Sequence, residues 1–410
     1  MTKSIVATTH TLYDQGSGIF GTGVPSAPSA RPRVVVTDAN PNKNTLIAAY
    51  AGSEYQQRVQ ERAAGATWFN YADWHMAIGY SLDNDPAVGA DLVSRVDARV
   101  VAHETAISNY IASGDNNDLR AAGSSSQNWL YSNDELFVTV ALTYDACYDL
   151  LTPTQRTRWR DTAFQFMYAM RHPTDCVYHS GGSSRNGVQT NWGMDPAWPT
   201  SNYYQHHVLG MVAMALAFKD DPAVEYTMQS GPVSLTGDWL LNEFTSVDIP
   251  ILANDLAKMP KGGSMEGTGY GVALADVYFA KILYESSTGT NIFSDTAIET
   301  YMEETANWTL HQMLPINVGT ARDIHWISGA HPGNSRGENI DQYRRMLVAA
   351  INANPAMTYA PEMKRMAVDQ NELGPIYTSN HYYHLTNEFL AQPALDSIVG
   401  SSDYSALPNM

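Results

Sequence analysis

The chain has 410 residues, 44% hydrophobic and 16% charged, the composition of an ordered globular protein, with no run of eighteen apolar residues that would cross a bilayer. Its 42 acidic against 24 basic residues give a formal charge of -18, which excludes nucleic acid as a partner because phosphate binding needs a basic footprint. An acidic ligand is repelled at long range, salt screening that field only beyond about 8–10 Å, so it must meet cations locally.

The first residues, rich in Gly, Ser and Pro, read as an N-terminal arm over 1–30, with no long apolar stretch ahead of a small-residue cleavage site. A mature extracellular or periplasmic enzyme whose leader has been removed begins this way, and so does a cytoplasmic protein; the former is the expectation. "RPRVVVTD" then reads as a short extended segment, and from Asn44 onward helical periodicity dominates. Apolar residues recur at helical spacing in "TLIAAYAGSEYQQRVQERAA", "ADLVSRVDARVVAHETAISNYIA", "NDELFVTVALTYDACYDLL", "RTRWRDTAFQFMYAMR", "QHHVLGMVAMALAF", "GDWLLNEFTSVDIPILANDLA", "ALADVYFAKILYES", "TAIETYMEETANWTLHQML" and "DQYRRMLVAAINA". The class is all-α. Many of these helices are apolar on more than one face, which suits pairs stacked into a ring or solenoid, a single helical toroid over 31–400 followed by a tail over 401–410 being the leading architecture.

Two segments break the helical pattern by length: residues 172–202, "HPTDCVYHSGGSSRNGVQTNWGMDPAWPTSN", and 317–339, "NVGTARDIHWISGAHPGNSRGEN". Long loops inside compact domains are usually functional. The first feeds a helix that Ser201 or Asn202 can cap, with Asn202 and His206 four residues apart on one face. An amide, an imidazole and helix-end N–H groups together suit a carboxylate. His207 falls on the stripe of Met211, Met214 and Phe218 and reads as a core residue, whereas His206 continues to Gly210, Ala213 and Ala217, small residues that back a cavity or a close helix contact; His206 is therefore favoured. Trp192, Trp198, Tyr203 and Tyr204 offer flat faces for sugar rings or pack the core. Arg185 in the first loop either meets a carboxylate or is a solvated charge.

The second loop carries Arg322, His325, His331 and Arg336, cations suited to an anionic substrate. Neither a paired-cysteine nor an H-E-x-x-H pattern supports a metal, so no metal site and no cofactor are expected. Cys147 and Cys176 either form one disulfide or are a buried thiol and a loop thiol. In "KGGSMEGTGYGVAL", residues 261–274, Glu266 and Tyr270 sit among glycines that let a backbone approach a ligand closely. This stretch reads either as a solvated connection or as a polar side chain aimed at something.

"RPRVVVTD", "ALTYDACYDLLTPTQRTRWRDTA", the Asn/His helix start at Asn202 and "GGSMEGTGYG", in that order over residues 31–278, resemble the heparinase II/III and alginate lyase group of polysaccharide lyases. The resemblance implies that residues 31–400 form an incomplete (α/α) toroid, a catalytic domain that binds an acidic polysaccharide and cleaves it by β-elimination. A tyrosine in an EG-x-x-Y loop acts at the sugar's C5 and glycosidic oxygen, and an asparagine with one or more histidines handles the uronate carboxylate. Residue by residue this maps onto Tyr270 with Glu266 nearby, and onto Asn202 with His206 or His207. "SNYYQHH" departs from the group's adjacent Asn-His, and Asn191 in "TNWG" competes with Asn202 for the carboxylate. Lacking room for a large β-sandwich, the chain is most similar to toroid-only alginate lyases, with alginate or a glucuronan-like polymer as the expected substrate. Two other readings stand beside it: an (α/α) glycoside hydrolase with two carboxylates, for example Glu266 with Asp73 or Asp195, and a glycan-binding toroid without catalysis.

Overall fold

The computed structural model describes residues 30–66, 73–113, 137–171, 202–228, 231–258, 274–294, 296–318, 321–324, 336–369 and 381–401. In chain order the first helices are α1 (Lys43–Tyr50), α2 (Glu54–Ala63), α3 (Trp74–Asp83), α4 (Pro86–Ser113), α5 (Thr139–Ala146), α6 (Pro153–Arg171) and α7 (Asn202–Ala217). A hairpin of β1 (Val224–Met228) and β2 (Gly231–Leu235) leads to α8 (Gly237–Glu243), α9 (Ile249–Leu256), α10 (Leu274–Thr288) and α11 (Thr296–Gln312). A second hairpin, β3 (Met313–Val318) and β4 (Ala321–Ile324), precedes α12 (Arg336–Ala353), α13 (Ala360–Lys364) and α14 (His381–Ser397). Helix dominates the described residues, as the periodicity requires, and none of their helices is long and apolar enough to cross a membrane.

Burial sorts the helices into two sets. In α3, α5 and α10 nearly every residue is buried, polar ones such as His75, Thr143 and Asp276 included. α2 buries only Tyr55 and Val59 along one stripe. A helix without a polar face is covered on all sides. α3 packs on α5, α5 on α7, α7 on α10, α10 on α12, α12 on α14, and α14 again on α3. The more exposed helices lie against these from outside, α4 on α3 and α5, α8 on α7, and α11 on α12.

Side-chain contacts fix the directions of the buried helices. Phe137, just before α5, lies edge-on to His207 and fills the space beside Gly210, where an added Cβ would sit 3.1 Å from it. Tyr144, near the end of α5, meets Phe218 just beyond α7, with centroids 4.6 Å apart. The two helices therefore run the same way. Asp276 pairs with Arg345 and Lys281 reaches the Ala353 carbonyl, which makes α10 and α12 parallel too. One short segment links the two pairs: Arg31 bonds Asp145 and the Ala217 carbonyl, and the Thr37 hydroxyl donates to the Ser286 carbonyl at 2.6 Å. The Val34 amide donates to Asp145, and the four residues from Val34 to Thr37 span at most about 14 Å, well under the length of α7 or α10, so the C-terminal ends of α5, α7 and α10 share one face. At about 1.5 Å rise per residue the starts of α7 and α10 lie more than 20 Å away, at the other face.

The "RPRVVVTD" segment is the clamp on that C-terminal face. The Arg31 guanidinium bridges Asp145 at 2.9 Å and Asp221 at 2.8 Å and covers the Tyr148 ring at 4.1 Å. Asp145 also accepts the Arg33 and Val34 amides at 2.7 and 3.0 Å. Burial pushes its carboxyl up to about 6, against the pull of Arg31 and then of those two amides. The segment forms bends rather than a strand, with Val35 at φ 61° in the left-handed region.

The structure differs from the sequence reading at several elements. The first helical stretch breaks into α1 and α2 because Gly52 takes φ 77° and the Ser53 side chain caps α2 through the Gln56 amide. α3 was not expected at all. "GDWLLNEFTSVDIPILANDLA" is interrupted by a π-turn, Phe244–Asp248, whose extra residue accommodates Pro250 in the next turn. The second long loop is shorter than 317–339: Leu314, Ile316 and Val318 alternate at strand period, so Arg322 lies in a hairpin, and Arg336 begins α12. Cys147 is a buried free thiol, pushed up to about 12 by burial and then by Asp145, while Cys176 lies outside the described residues.

His103 on α4 is buried against Phe166 beside Arg99, and burial first, then that charge, push its pKa down to about 4. A histidine depressed in the folded state contributes stability that is present above its unfolded value near 6.5 and lost as pH falls through 4. The difference amounts to about 3 kcal/mol. Denaturant unfolding at pH 7 and pH 4 should show a pH penalty about that much smaller in His103→Gln than in the parent; equal penalties would contradict the assignment.

Candidate functional site

α7 begins at Asn202, the last residue of the first long stretch without helical period. Asn202 is its first residue, with Tyr203 and His206 in the next turns; for these three the structure describes the backbone alone. The same holds for Arg322 in β4 and Arg336 at the start of α12. Tyr270, Glu266, Arg185, Asn191, Trp192 and His325 lie outside the described residues, and so does Asp195. What is described is the helices that precede and follow them in the chain. Leu274 opens α10 four residues after Tyr270, and α10 packs along α7 with its start at the same face.

His207 is fully buried and shares its face with Met211, Met214 and Phe218, all buried as the stripe predicts. Neither ring nitrogen has a hydrogen-bond partner among the described residues. Burial, and secondarily the Arg171 charge, hold its pKa well below the ordinary histidine value, so the ring is neutral. A neutral imidazole offers one donor and one acceptor but no charge. The small-residue stripe of His206 is a close helix contact: Gly210 is the point at which Phe137 approaches α7. Tyr204 is fully buried and belongs to the core, so it offers no face to a sugar ring.

Beside His207 lies a charged cluster that the sequence did not disclose. Arg171, the last residue of α6 and the one before the long loop, donates to Asp248 at 2.7 Å, to Glu243 at 3.3 Å and to the Met211 sulfur at 2.9 Å. Asp248 is fully buried in the π-turn. Its two carboxylates keep Arg171 protonated against burial. The cluster ties the end of α6 and the π-turn to Met211, in the second half of α7. An arginine closing an apolar helix just before a long loop was its only trace in the sequence.

Asp73, considered above as a hydrolytic carboxylate, is fully buried at the start of α3 and ion-paired with Arg95 and, at 3.1 Å, with Arg99. These pairs hold it in the packing between α3 and α4 and away from solvent. Among the described residues no group of three or more His, Cys, Asp and Glu side chains is placed to hold a metal ion.

No family model matches the chain, and no curated protein matches it.

Proposed function

We propose that the chain is a polysaccharide lyase on a toroid of paired helices, cleaving a uronate-containing anionic polysaccharide, alginate or a glucuronan-like polymer, by β-elimination. The ring reading is supported by the succession of buried helices from α3 through α14 back to α3. The observation that carries the functional reading is the common direction of α7 and α10. The start of α7, with Asn202 and His206, and the start of α10, four residues beyond Tyr270, fall at one face.

The chemistry needs three things. The C5 proton of a uronate is removable only when its carboxylate charge is offset by hydrogen bonds, a role assigned to Asn202, His206 and the N–H groups that open α7. A base takes the proton: the Tyr270 phenolate, which forms an O–H bond as the C5–H bond breaks. The electron pair becomes the C4–C5 double bond and the C4–O4 bond breaks, O4 receiving the proton from Tyr270. The base is thereby regenerated, and the step as written uses no metal or organic cofactor. Glu266, Arg185, Asn191, Trp192, Tyr203, Arg322, His325 and Arg336 are assigned to substrate binding, the arginines offsetting the acidic whole. His207, neutral and enclosed, is assigned to the packing of α7 against Phe137. An extracellular or periplasmic setting fits such a substrate.

Product mass separates this reading from hydrolysis, because one product of elimination is lighter by one water than its hydrolytic counterpart. With that readout, His206→Ala is expected to cut turnover by about 10²-fold or more with an unchanged melting midpoint. His207→Ala is expected to lower stability by about 1–3 kcal/mol through the cavity it leaves. The opposite pattern would exchange the two roles, and loss of stability in both would remove His206 from the mechanism.

A further inference from the structure

Around the C-terminal ends of α10 and α12, on the face opposite the candidate site, the structure holds a half-open cavity of about 390 Å³. That lies within the range of small-molecule pockets. Its apolar lining comes from Val35, Leu46, Ile282 and Leu390. The polar lining divides into groups that hold the fold and groups that do not. The Asn40 amide donates to the Val35 carbonyl at 2.7 Å, and Asn291 is engaged with Glu299 and the Phe293 amide. The side-chain amides of Asn42 and Asn352 and the second oxygen of Glu285 make no hydrogen bond among the described residues.

Charge narrows the ligand. Glu285 and two helix C-termini present negative charge or partial charge, which disfavours an anion. Lys281 already bonds Glu285 at 2.6 Å and the Ala353 carbonyl at 2.7 Å, so a second cation would meet its ammonium. What remains is a neutral molecule with several hydroxyls and one apolar face. Two amides and a carboxylate oxygen match hydroxyls that both donate and accept, and the aliphatic floor matches the C–H face of a pyranose. Val35, a β-branched residue at φ 61°, lies at the cavity wall in a tight turn closed by the Val36 amide on the Val34 carbonyl at 2.7 Å, with the Asn40 amide on its own carbonyl, and strain of this kind concentrates at ligand sites.

We infer that this cavity is a binding site for a single neutral sugar residue, separate from the face at which α7 and α10 begin. The test is a saturation-transfer NMR titration of the full chain with methyl glucoside, methyl galactoside and methyl mannoside, using glucuronate and methylamine as charged counter-probes. At least one neutral glycoside should bind. Asn42→Ala and Asn352→Ala should each weaken it about three- to tenfold, the loss of one hydrogen bond, with the melting midpoint unchanged. Binding of only a charged probe, no binding of any neutral glycoside, or affinity that neither substitution moves would overturn the inference. The readout requires no catalysis, so its failure and that of the lyase proposal are separate results.

Discussion

Tyr270→Phe is expected to abolish formation of unsaturated uronate, with a loss larger than the 10²–10⁴-fold usually ascribed to one general acid–base step. The substitution removes one hydroxyl and keeps nearly all of the ring. In the proposed mechanism that hydroxyl both takes the C5 proton and returns one to O4, so two proton transfers fail together. Polymer affinity should change little, because one phenol hydrogen bond contributes about 0.5–1.5 kcal/mol net. Turnover assays paired with equilibrium binding to an acidic polymer check both halves. A folded Tyr270→Phe protein with near-normal turnover would remove the tyrosine from the chemistry.

Asp145→Ala is expected to produce the largest loss of stability, about 3–5 kcal/mol at pH 7, the range for breaking a buried ion pair from one side. Asp145 is 2% exposed and holds Arg31 together with the Arg33 and Val34 amides. The substitution leaves both amides buried without their acceptor, each costing about 1–3 kcal/mol. Arg31 keeps Asp221, which limits the total. Because this clamp touches the ends of α5 and α7 and, through Thr37, of α10, the variant should also unfold less cooperatively in denaturant. A midpoint and slope equal to those of the parent would show that the segment merely rests on the surface.

The helical class was legible because most helices carry a polar face that reveals their period. α3 was not: Trp74, His75, Met76, Ala77 and Ile78 are all buried, so no stripe exists to count, and its ten residues are too few to mark a helix by length, unlike the fifteen of the equally buried α10. The break between α1 and α2 stood in the sequence as "AGS", but the apolar period ran across it. At the candidate site, the helix start at Asn202 and the burial of His207 were readable from local spacing. The common direction of α7 and α10 was not, since it rests on pairs such as Thr37 with Ser286, 249 positions apart. Arg171 and Asp248 are separated by 77 positions, and neither residue marks the other. Asp73 looked available as a carboxylate because sequence shows a charge but not the arginines packed upon it.

The most direct measurement is ultraviolet absorbance during incubation of the full chain with alginate, glucuronan, a heparin-like polymer and hyaluronan, with new reducing ends counted in parallel. Elimination creates a conjugated double bond with every chain break, so absorbance and reducing ends should rise together on at least one polymer, and neither should rise with Tyr270→Phe. Reducing ends that accumulate without absorbance would make the protein a hydrolase, and polymers that are bound with their length unchanged would make it a glycan-binding protein; either result contradicts the proposed elimination.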